Sequence, residues 1–155
     1  MTAAGDQDAL SRLLAFEYAA IYGYGLAGAV LATPASTAPL ARAASALAVV
    51  GLQSHHDRRD ALIGEIVSAG GTPPPAEAAY GYPRPAGTAA ALTLIADIED
   101  SVAGACHDVL GSLAGGPLRT QVAGFYGDAA ISSARARLLA GAGPARATAA
   151  FPGEG

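Results

Sequence analysis

Gly70-Gly71-Thr72-Pro73-Pro74-Pro75-Ala76-Glu77-Ala78-Ala79-Tyr80-Gly81-Tyr82-Pro83-Arg84-Pro85-Ala86-Gly87 is a long stretch with neither a helical nor a strand pattern of its own. Its prolines fix φ and remove backbone donors, so it is stiff and cannot join a helix interior or a central strand. A connection of this length inside a compact domain crosses over other elements or covers a site. The expectation is a structural crossover, with Tyr80 and Tyr82 pinning it to the helices, rather than a mobile lid. On both sides apolar residues recur three and four apart, and alternating β-branched or aromatic runs do not occur. The chain therefore reads as all-α.

Upstream, Pro39 suits a first helical turn, and the pattern runs from about 38 to 69 before Gly70-Gly71 stops it. Val49, Leu52, His56, Ile63 and Ile66 are taken as its inward face, which also aligns Gln53 and Asp60 with His56. His55 then points about 100° away and reads as solvated or inter-helix. The block Thr33-Pro34-Ala35-Ser36-Thr37 breaks the chain from an earlier helix, expected over 6–31 with Asp6 or Asp8 as its cap. That helix has the seam Leu10, Leu14, Glu17, Ile21, Tyr24, Gly28 and Leu31, so a carboxylate falls on a buried stripe. Tyr18 and Tyr22, four apart, are expected to pack at a helix interface, or to serve a homodimer if exposed.

Downstream, Thr88 reads as the cap of a third helix over 88–114, with the seam Leu92, Ile95, Glu99, Val102, Cys106, Val109 and Leu113. Glu99 is again a lone carboxylate on an apolar stripe, and Asp97 and Asp100 face elsewhere. Pro117 opens a fourth helix, over 118–140, whose inward residues are Leu118, Val122, Phe125, Ala129, Ser132, Ala136 and Leu139. The tail through Phe151-Pro152-Gly153 is expected to be extended, with Phe151 docked on the helices. Short links join the first two helices and the last two, and the long one joins the pairs. That is the loop signature of a ferritin-like four-helix bundle with one long crossover.

The bulk numbers restrict function. At 155 residues the chain is expected to be one domain, 52% hydrophobic and only 14% charged, long enough to bury a core. Much of the apolar share is Ala, so the helices should pack closely. A net charge of −4 argues against nucleic acid as a partner. No run of about 18 apolar residues free of Gly, Pro and charge occurs, so no membrane span is expected. Met1 to Asp8 carries acids and no basic segment, so a secretory signal is not expected either. The single cysteine, Cys106, rules out an intrachain disulfide framework; it fits a cytoplasmic location and reads as a small buried hydrophobe. No nucleophile elbow supports a hydrolase, and Gly70-Gly71 and Gly115-Gly116 end helices rather than open phosphate loops. His107 lies off the seam beside Cys106.

The inward polar residues are where chemistry would lie. A di-metal bundle site takes one Glu from each of two helices and a Glu-x-x-His pair from each of the other two. Fe or Mn accepts that oxygen and imidazole set. Glu17 and Glu99 supply the two single carboxylates, but the second helix offers Gln53 in the place of Glu, three before His56. The fourth helix offers no His, and Asp128 is its only acid. The motifs Phe16-Glu17-Tyr18-Ala19-Ala20-Ile21-Tyr22-Gly23-Tyr24-Gly25 and His56-Asp57-Arg58-Arg59-Asp60-Ala61-Leu62 are followed by Thr72-Pro73-Pro74-Pro75 through Tyr80, Glu99-Asp100 and Phe151-Pro152-Gly153. In that order, over nearly the whole chain, they resemble the uncharacterised actinobacterial ferritin-like family of Ala-rich proteins labelled by a domain of unknown function. The resemblance implies a ferritin-like fold and brings no activity with it.

Two readings follow. In the favoured one no metal is bound: Glu17, Gln53, His56 and Glu99 form a buried polar network, with Arg135 or Arg137 of the fourth helix as the compensating cation. In the other, Glu17, His56 and Glu99, with Gln53, Asp60 or Asp128, hold one or two Fe or Mn ions for redox chemistry. Either way something must compensate a buried carboxylate, because leaving it unpaired costs several kcal/mol.

Overall fold

The structure, a computed structural model, describes residues 3–32 and 39–148; the expected helix break at 33–37 and the tail with Phe151 lie outside them. Four long helices carry the molecule: α1 (Ala3–Leu31), α2 (Pro39–Ser68), α3 (Thr88–Leu110) and α4 (Pro117–Leu139). A short turn of helix, α5 (Pro144–Ala147), follows where only an extended tail was expected. No strand occurs among the described residues.

Glycines end the long helices as the sequence suggests. Gly70 takes φ 78° after α2, with Gly70 N–H donating to Val67 O and Gly71 N–H to Ile66 O, a Schellman closure. Gly141 closes α4 in the same way. Two expected caps are corrected. Thr88 is the first residue of α3 rather than its cap, which is Gly87 and makes no side-chain bond. Asp6 sits inside α1, and its carboxylate accepts from Ala114 N–H in the α3–α4 link (3.0 Å).

Long-range pairs fix the helix directions. Gln7 near the start of α1 donates to Ala69 O beyond the end of α2 (2.7 Å), and Arg12 pairs with Asp108 near the end of α3 (3.1 Å). Helix α1 is thus antiparallel to both α2 and α3. Arg119 at the start of α4 reaches Leu113 O (2.5 Å), while Ser133 near its end reaches Asp100, so α4 is antiparallel to α3. Helices α2 and α3 must therefore run the same way, and residues 69–87 have to carry the chain back along their full length. A helix the length of α3 spans about 35 Å, and the connection reaches up to roughly 60 Å when extended, so it suffices.

The tyrosines hold that crossover. The Tyr80 and Tyr22 rings lie 5.6 Å apart, and the Tyr82 ring rests against Gly23, where a Cβ would come within 3.1 Å of it. Tyr22, half of the pair considered for a homodimer, is thus engaged by its own chain. The core runs between the helices as one cluster, including Leu10, Leu14, Tyr24, Leu62, Leu92, Ile95 and Leu113. Packing is closest between α3 and α4, α1 and α2, and α1 and α3, and looser where α2 faces α4. Gly5–Leu31 is long and apolar enough by composition to cross a membrane; here it packs on α2 and α3 and carries a buried carboxylate.

Candidate functional site

Five polar side chains are buried among the described residues: Glu17, His55, Arg58, Glu99 and Ser133. The first four gather on α1, α2 and α3. Glu17 and Glu99 occupy the seam positions expected of them, flanked by Leu14 and Tyr24 on α1 and by Ile95 and Val102 on α3. His55 lies between them, fully enclosed. Its Nδ1 is 2.6 Å from Glu17 Oε2 and its Nε2 3.4 Å from Glu99 Oε1. The Tyr24 hydroxyl donates to the same Glu99 oxygen at 2.5 Å, and its ring tilts over the His55 imidazole with centroids 4.8 Å apart.

The second helix is turned by about one residue from the expected phase. Its buried stripe is Ala44, Ala48, Gly51, His55, Arg58, Leu62 and Ile66. The reason is the closeness of α1. A Cβ at Gly51 would stand 2.6 Å from Tyr24 Cζ, so only glycine fits at that point of the seam, and Val49, used to set the phase, lies 66% exposed outside. His56 is therefore not the inward histidine. It is half-buried at the side of α2, its Nδ1 2.8 Å from Arg59 Nη1. Gln53 is exposed and donates to Asp57, and exposed Asp60 accepts from Arg59.

The expected compensating cations are corrected as well. Arg135 is exposed, and Arg137 pairs with Asp100, which also accepts from Ser133. Asp128 is 70% exposed and faces outward near Arg58 Nη2 at 3.8 Å. The buried cations are instead His55 and Arg58, one turn apart on α2. Arg58 is 6% exposed, and its guanidinium lies 5.5 Å over the Phe125 ring. The sequence signal that finds them is the string of small residues Ala44, Ala48 and Gly51, which continues in phase through 55 and 58.

Electrostatics follow from this enclosure. Burial alone would push the His55 imidazole down, but the hydrogen bond to Glu17, the close approach of Glu99 and the charges of both outweigh it, raising His55 to about 9. His55 is therefore an imidazolium near neutral pH. The Tyr24 phenol is raised by burial, then by Glu99. Burial and the Glu17 charge push the Cys106 thiol up to about 12, so it is a buried thiol and not a thiolate. Two carboxylates, one imidazolium and one guanidinium leave the cluster close to electroneutral.

The dinuclear ligand set, one Glu from each of two helices and a Glu-x-x-His pair from each of the other two, is not assembled among the described residues. Helix α4 turns Ala129, Ser133 and Ala136 inward and supplies no carboxylate or imidazole, while Arg58 brings a fixed positive charge into the core. Among the described residues no group of three or more His, Cys, Asp or Glu side chains is arranged to hold one ion. Three buried atoms remain without a hydrogen-bond partner: His55 Nε2, Arg58 Nη1 and Glu99 Oε2.

No curated protein matches the chain. Among solved structures it is similar to a conserved hypothetical protein from Mycobacterium tuberculosis, with 31% identity and a TM-score of 0.78 over 96% of this chain and 98% of that one. The family described as a domain of unknown function, DUF4439, matches residues 9–155, and the chain belongs to that family.

Proposed function

We propose that this is a ferritin-like four-helix bundle in which an internal ion network stands at the bundle centre, where such folds place metal, and that the protein has a structural or interaction role. The antiparallel and parallel helix directions, the full-length crossover between α2 and α3, and the inward Glu17 and Glu99 support the fold reading. The observation that carries the functional reading is His55, whose two ring nitrogens both face carboxylates. An imidazolium in that position donates from Nδ1 to Glu17, turns its Nε2 proton toward Glu99 at 3.4 Å, and has no lone pair left for a metal. A cytoplasmic location, drawn from the single buried cysteine, belongs to the same proposal.

A second reading is a single Fe or Mn ion held by Glu99 and His55, with Glu17 orienting the His55 ring, where the expected set was Glu17, His56 and Glu99. Here His55 Nδ1 would donate to Glu17, and Nε2, unpartnered beside the equally unpartnered Glu99 Oε2, would turn a lone pair to the ion. Metal analysis of protein purified without chelators, combined with ¹⁵N NMR of the His55 ring, separates the two. We expect less than about a tenth of an equivalent of metal and both ring nitrogens protonated at neutral pH. Stoichiometric Fe, Mn or Zn that disappears in Glu99→Ala overturns the metal-free reading.

A further inference from the structure

The outward stripe of α2 is organised as a surface that matches itself. Opposite the buried seam lie Arg42, Ala46, Val49, Val50, Gln53 and Asp57, all exposed and all within one side of the helix. Its middle is apolar: Val49 is 66% and Val50 64% exposed. One arm carries a cation and the other an anion, with small residues between the cation and the centre. Beside it, where α2 and α4 pack loosely, an open groove is lined by Ala46, Leu47 and Val50 from α2 and Leu138 from α4. Leu138 adds a further exposed apolar side chain, 46% accessible. Val49, Val50 and Leu138 together leave apolar surface on this side that a protein partner would remove from water.

We propose that a second copy of this chain covers the stripe, with the two α2 helices crossing antiparallel about a two-fold axis between Val49 and Val50. That axis sets position 49 against 50, 46 against 53 and 42 against 57 of the copy. Val49 meets Val50, Ala46 makes room for Gln53, and Arg42 meets Asp57 of the partner subunit, twice by symmetry. An isologous interface requires this kind of self-complementarity. A one-residue shift of register would lose the Arg42–Asp57 match. Arg42 and Asp57 are about 22 Å apart along their own helix, so this pairing forms between two copies and not within one chain.

Sedimentation equilibrium of the full chain tests this, with circular dichroism to show that each variant folds; the altered side chains are exposed and outside the core. The wild type should be dimeric. Arg42→Asp and Asp57→Arg should each weaken association by about tenfold or more, because each places like charges together twice in the dimer. Mixing the two single variants should restore a dimer, now a heterodimer, and the double variant R42D/D57R should recover a homodimer. Val49→Glu should be monomeric. A wild type that stays monomeric at all concentrations overturns the proposal, as does a dimer indifferent to Arg42→Asp and Val49→Glu. Failure of both rescues overturns the register. None of these outcomes depends on whether the buried network holds metal.

Discussion

At the scale of the residue, the molecule turns on one imidazole. His55 is the cation that two buried carboxylates share directly, so its removal leaves Glu17 and Glu99 facing each other across the position it held. Breaking a buried ion pair by removing one partner costs about 3–5 kcal/mol. His55→Ala is therefore expected to lose that much in urea denaturation. His56→Ala, one residue on, removes only a half-exposed contact to Arg59 and should lose less than about 1 kcal/mol. Equal effects of the two would mean that His55 does not carry the charge balance. The pH dependence has a definite sign. His55 is raised in the folded state from 6.5 to about 9, so folding favours its protonated form. Its contribution is complete below about pH 6.5 and is lost as pH rises through about 9, an effect on the order of 3 kcal/mol. Stability of the wild type should thus fall between those values, and that of His55→Gln should stay flat over the same range.

At the scale of the element, α2 and α3 show why some faces are readable and others are not. The seam of α3 runs Leu92, Ile95, Glu99, Val102, Cys106 and Val109, all of it buried, and Leu113, expected to continue it, is buried in the link beyond the helix end. Large apolar residues there alternate with exposed polar ones, so hydropathy fixes the phase. In the first half of α2, Val49 and Val50 point outward while the seam is Ala44, Ala48 and Gly51, so hydropathy turns the helix by about one residue. The same crowding makes two glycines of α2 behave oppositely. Gly51→Ala places a methyl 2.6 Å from Tyr24 Cζ, and Tyr24 is tied to Glu99 through its hydroxyl. It should destabilise by about 1–3 kcal/mol despite a better helix propensity. Gly64→Ala is exposed with nothing within 4 Å of the new Cβ and should stabilise by about 0.5–1 kcal/mol. Thermal melts of the two variants decide it; a neutral Gly51→Ala would mean that α1 and α2 are free to separate.

At the scale of the whole molecule, the crossover decides topology. Because α2 and α3 run the same way, residues 69–87 must span about 35 Å. Replacing them with six residues, whose reach is about 20 Å, should abolish the cooperative thermal transition. A Gly/Ser segment of the native length should retain the fold but melt earlier, since it lacks the Tyr80 and Tyr82 contacts. A cooperative fold with the six-residue link would require α3 to run the other way and would sink this topology.

The sequence by itself determined that the chain is helical, where its four long helices lie, that one long link separates two pairs, and that Glu17 and Glu99 fall on inward seams. These are local matters of periodicity, turn residues and connection length. Only the tertiary structure decided which histidine faces those carboxylates and which arginine accompanies it. The rotation of α2 is set by how closely α1 can approach it, through Gly51 and Tyr24, and not by the hydropathy of α2 alone. A neighbour's shape, rather than a helix's own pattern, chose His55 and Arg58 over His56, Arg135 and Arg137.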